Sequence, residues 1–96
     1  MHENYKTVTR VLKAIGSQSG ARIFALLGGV KEMCVSDIAG RTGLSVSATS
    51  HQLQRMESAG LVESWRDSRT ICYSIKKDPI TIGLLKCVKD LLKAHK

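Results

Sequence analysis

The sequence predicts an α+β, mostly helical fold of about five helices and one β-hairpin. Three observations carry that expectation. Two helical patterns meet across a short glycine break within residues 36–60. The apolar period then changes from helical to two. A helical period returns at Pro79 and runs through Ala94.

Residues 5–15 place Val8, Val11, Leu12 and Ile15 at helical spacing, and Gly16-Ser17 ends that helix. Ser19 is positioned to cap the next one. Its core side is Ile23, Leu26 and Leu27, and it stops at Gly28-Gly29. Lys31-Glu32-Met33 leads into the central stretch.

There, Ile38 and Ala39 give a short helix its apolar side. Gly43 can adopt the left-handed conformation that stops it. Ser45 is a good N-cap for a further helix ending at Gly60. In that helix Val46, Leu53 and Met56 share one face, with Thr49 on its edge. Ser47, Ser50, His51, Gln54 and Arg55 point elsewhere. Two short helices joined by a glycine turn read as a helix-turn-helix. The exposed side of the second is polar, hydrogen-bonding and almost free of acid. A surface entering a phosphate-walled groove to read base edges needs those properties.

After Gly60, residues 61–66 read as a strand, Asp67-Ser68 as the turn and residues 69–75 as the returning strand. Arg66, Asp67 and Arg69 then lie at the hairpin tip. A basic-tipped hairpin following a reading helix makes a winged helix, whose arginines can reach phosphate or the adjacent minor groove. Pro79 suits the start of the last helix, where its missing N–H costs little. Ile80, Leu84, Leu85, Val88, Leu91 and Leu92 form a broad apolar face there. That surplus, matched on the first helix, predicts a homodimer paired through the terminal helices. A dimer would present two reading helices to an inverted-repeat operator in double-stranded DNA.

Composition agrees. Fifteen Lys and Arg against eight Asp and Glu give a net charge of +7 over 96 residues, enough for one domain spanning 1–96. The pI of about 9.7 exceeds the threshold of about 9 that flags nucleic-acid binders. Residues 1–10 are too polar for a signal peptide, and no apolar run approaches the roughly 20 residues of a membrane span. Three cysteines, an odd number, do not make a secreted disulfide framework, so reducing cytoplasm is the expected compartment. There is no Ser-His-Asp set in context, no phosphate-cradling glycine loop and no acid pair expected in a cleft, so no enzyme is expected.

Several stretches together resemble the ArsR/SmtB family of small repressors: residues 32–38, Leu44-Ser45, residues 50–53, residues 59–62 and residues 66–75. The match covers roughly residues 10–92. The resemblance implies a homodimeric winged-helix repressor that an inducer releases from its operator. It implies DNA-reading roles for Ser45, Ser47, Thr49, Ser50, His51 and Gln52, with Arg66 and Arg69 on the wing. Arg55, on the exposed side of the same helix, completes the candidate set.

The sensor departs from the family pattern. Cys34 matches the first cysteine of the metal-sensing branch, but Ser36 stands at the second, and a hydroxyl is a poor ligand for a soft metal. A soft metal at Cys34 would need another ligand; His2 could supply one across a dimer, the other reading of His2 being a disordered N-terminal tail. Asp78, Asp90 and His95 lack the spacing of the zinc site on the last helix of another branch. Some family members sense oxidants or reactive sulfur with one thiol near the second or third helix and one on the last. Cys34 with Cys87 is similar in outline and forms the candidate sensor pair, leaving Cys72 as a structural thiol. Packing alone is the other reading of all three thiols. An alternative function is a protein-interaction module built on the same fold, since fold does not fix function. Such a module would be expected to lose the basic wing and the hydroxyl-rich helix side that this sequence keeps.

Overall fold

Eight elements follow one another in the computed structural model, which describes residues 3–94. They are α1 (Tyr5–Ile15), α2 (Gln18–Gly28), β1 (Met33–Cys34), α3 (Val35–Thr42), α4 (Val46–Ser58), β2 (Val62–Asp67), β3 (Thr70–Ile75) and α5 (Pro79–Ala94). The caps account for most boundaries. Asn4 accepts from the Thr7 amide to begin α1. Ser17, not Ser19, begins α2 by accepting from the Gly20 amide at 2.9 Å. Both serines precede the apolar stripe; Ser17 has the extended backbone that lets its hydroxyl turn back over the first turn.

Asp78 caps α5, accepting at Oδ1 from the Thr81 amide at 2.9 Å. That amide holds the Asp78 carboxyl below the usual carboxylate range. A depressed folded-state pKa contributes stability above the unfolded pKa, and this is lost as pH falls through the folded one. Asp78→Ala should therefore melt below the parent at neutral pH. The gap in melting temperature should narrow on acidification; a gap constant with pH would show that the carboxylate charge adds nothing.

The sheet is antiparallel, in the order β1-β3-β2. β3 is thus hydrogen-bonded on both sides. Its register sets Cys34 opposite Cys72 in β1 and Trp65 opposite Cys72 in β2. The hairpin loop is Ser68-Arg69, one residue later than expected, because Asp67 still pairs with Thr70. Ser68 takes a positive φ of 60°. A positive φ at the first loop residue alone matches the twist-compatible type II′ turn of two-residue hairpins.

Phe24, Ile23 and Leu27 of α2 are fully buried with Ile38, Leu53, Met56 and Leu61. Helix α2 packs against α1, α3, α4, β3 and α5, which makes it the hub of the core. Two burial expectations fail. Thr49 is wholly buried rather than on an edge, whereas Val46 is 52% exposed. The Thr49 hydroxyl donates to the Ser45 carbonyl at 2.8 Å, which satisfies it inside the core. Burial does not alternate strictly along β3: Cys72 and Tyr73 are both buried, while Ile71 is exposed. β1 covers Cys72 from one side, and no local pattern announced a two-residue strand.

Candidate nucleic-acid interface

Gly43 ends α3 with φ 77° and ψ 11°, a left-handed conformation in which a Cβ would be strained. Its amide closes the helix on the Ala39 carbonyl at 2.9 Å. Ser45 follows in extended backbone and accepts from the Ala48 amide at 3.0 Å to start α4. This short turn fixes the angle between the two helices.

Thr49, Leu53 and Met56 anchor α4 in the core. At 100° per residue the opposite side is the stripe Ser47, His51, Gln54 and Ser58, with Ser50 and Arg55 flanking it. All four stripe residues and Arg55 are exposed, and Ser50 is half-buried. Gln52 lies toward the side of the helix and is half-buried, so it stands apart from the stripe. Thr49, buried, is removed from the candidate reading surface; Ser45 remains exposed but spends its hydroxyl on the cap. Gln54 is the residue missed by motif matching. Its angular position, about 20° from Ser47 on the outward side, was the signal that could have added it to the set.

The one acid in α4, Glu57, turns toward the sheet and accepts from the Ser64 hydroxyl. It also helps raise the Tyr73 phenol, after the larger effect of burial. The stripe is thereby left without a carboxylate. Arg66 and Arg69 are both exposed at the hairpin end. Hydroxyls, an amide and an imidazole on a protruding helix, flanked by guanidinium groups, can donate to phosphate and meet base edges.

The thiols are arranged otherwise than expected. Cys34 is bonded to Cys72, its direct neighbour across β1 and β3, and Cys87 is free and exposed on α5. Cys34 thus stands beside Cys72 and not beside Cys87. Strand register brings the first two sulfurs together, and α5 holds Cys87 outside that pair. Cys34 is also the N-cap residue of α3, with no side-chain cap bond of its own. His2 and His95 lie outside the described residues.

Residues 22–64 match the family model described as bacterial regulatory protein, arsR family. The HTH-type transcriptional regulator YgaV of Escherichia coli K12 is 39% identical over 80 residues, covering 81% of this chain and 81% of that protein. The chain belongs to the ArsR family. The cadmium resistance regulatory protein CadC of Listeria innocua is 33% identical over 70 residues, 73% of this ArsR-family chain and 59% of CadC. The solution structure of Mb0332 from Mycobacterium bovis is described as a homodimeric winged helix-turn-helix DNA-binding domain and a possible ArsR-family regulator. It superposes with a TM-score of 0.79 at 31% identity, covering 95% of this chain and 82% of that one. Fold and family make the chain a winged-helix, DNA-binding transcriptional regulator and not an enzyme.

Proposed function

We propose that this ArsR-family chain is a cytoplasmic, homodimeric repressor of an inverted-repeat operator, released when Cys34 and Cys72 are oxidised. It rests on one observation: the outward side of α4 carries hydroxyl, amide and imidazole groups and no acid, beside a wing ending in Arg66 and Arg69. Ser47, Ser50, His51 and Gln54 meet base edges in the major groove. Val46, exposed at the helix start, suits a thymine methyl. Arg66 and Arg69 hold backbone phosphate.

Dimerisation is supported by apolar side chains left in solvent on the terminal helices. Tyr5, Val8 and Leu12 are exposed on α1, and Ile80, Leu91 and Leu92 on α5. Such a surplus marks an interface. The likeness to a homodimeric domain points the same way.

The signal reads as thiol chemistry. When reduced, the two thiols would stand opposite each other across β1 and β3, at the entrance to α3. An oxidant of the peroxide or persulfide class would accept two electrons as the thiols lose two protons and the S–S bond forms. The bond ties β1, and hence the helix-turn-helix, to the wing's returning strand. That re-aims two reading elements that must fit fixed half-site spacing.

The test is a titration of an inverted-repeat duplex from beside the chain's own gene, under reductant and under oxidant. The reduced parent should bind tightly, with affinity falling steeply with salt. Oxidation should weaken it, and Cys34→Ser or Cys72→Ser should remove the response while Cys87→Ser keeps it. Equal affinity in both redox states would eliminate the thiol signal. Absence of any preferred duplex would eliminate the operator.

A further inference from the structure

Between α1 and α4 lies an open cleft of about 450 Å³, lined by Arg10 and Lys13 of α1 and by His51, Gln54, Arg55 and Ser58 of α4. Three permanent cations and an imidazole line it, without a carboxylate. Among the described residues the one ion pair is Lys86–Asp90, far along the chain on α5. Arg10, Lys13 and Arg55 thus face one another across solvent with no acidic partner. Like charges brought together repel, and an anion seated between them relieves that repulsion.

Packing does not require this arrangement. The buried Ala14 and the partly buried Val11 and Ile15 join α1 to the core. Arg10 and Lys13 are exposed. The cleft also shares His51, Gln54 and Ser58 with the outward stripe of α4, so it opens directly beside the C-terminal part of that stripe. A helix with its side chains is about 10–12 Å across, close to the roughly 12 Å width of the major groove. Groups on the flank of a helix seated there meet the bordering phosphates rather than base edges.

We infer that this cleft is a phosphodiester site: Arg10, Lys13 and Arg55 clamp the operator backbone that borders α4 on the α1 side. The inference rests on α4 being the groove helix. It gives α1 a second task, because the same helix turns Val8 and Leu12 toward a partner protomer and Arg10 and Lys13 toward DNA. Affinity supplied here is independent of sequence, since a phosphate carries no base identity.

The test compares the parent with Arg10→Gln/Lys13→Gln across a salt series, on the operator and on a scrambled duplex. Every phosphate that the protein no longer neutralises lowers the slope of log K against log salt by about 0.9. Two such phosphates on each of two protomers should lower it by roughly 3 to 4, and both duplexes should weaken by the same factor. Lys76→Gln/Lys77→Gln removes two exposed cations elsewhere and should leave the slope nearly unchanged. An unchanged slope in a folded, dimeric Arg10/Lys13 variant overturns the clamp. So does an equal fall in the Lys76/Lys77 control, which would make the effect one of net charge. A parent that binds neither duplex overturns the groove reading itself, and the clamp with it.

Discussion

Phe24→Ala should lower the unfolding free energy by about 3–5 kcal/mol, the usual range for deleting a buried phenyl ring. Phe24 has no solvent exposure and sits on α2, the helix that touches α1, α3, α4, α5 and β3. Deleting the ring opens a void where several elements converge, and none of them can close it without pulling away from another. A domain of this size has about 5–15 kcal/mol in hand, so the variant should be partly unfolded at ordinary temperature. Urea denaturation monitored by circular dichroism reads the loss. A shift under about 1 kcal/mol would mean that the core can collapse around the site. Leu12→Ala is the contrast: Leu12 is 54% exposed in the protomer, so its loss should act on assembly instead.

The second large effect concerns assembly. Leu91→Glu should convert a dimer into a folded monomer and lower operator affinity by about 10²- to 10⁴-fold, the usual gain from linking two binding units. Leu91 is 56% exposed in the single protomer, so a carboxylate there stays solvated and the protomer keeps its fold. Buried unpaired against a second copy, the same charge is costly. Sedimentation should give the monomer mass, circular dichroism should be unchanged, and DNA titration should show the weakened binding. A variant that remains dimeric would move the interface away from this end of α5.

Much of this protein was legible because its signals are local. Gly43 and Ser45 write a helix stop and a helix start within three residues, and both take the expected conformations. The period-two stretch after Gly60 announced the hairpin, with only its loop displaced by one residue. What was hidden depends on residues far apart in the chain. β1 is a strand because β3 lies beside it, and two residues cannot show a period. Cys34 and Cys72 are 38 positions apart, and their bond follows from that pairing. Thr49 looks like one more hydroxyl on a polar helix. Its burial follows from its angular place between Leu53 and Met56, which outweighs its polarity once the Ser45 carbonyl accepts its hydrogen bond. Gln54 is the reverse case: its spacing put it on the exposed side, but a motif drew attention to Gln52 and left it out of the candidate set.

The sheet also bears on how the molecule avoids sticking to itself. An open strand edge is a template for another chain, and uncontrolled pairing there leads to aggregation. β3 has no open edge, because β1 and β2 flank it. β1 exposes an edge only two residues long and then bends into α3. β2 is the one outer strand of length, and Glu63, Arg66 and Asp67 stand exposed along it. A strand approaching that edge would have to accommodate charges of both signs. The wing can therefore project into solvent, and at high concentration self-association should be channelled through helices rather than toward fibrils.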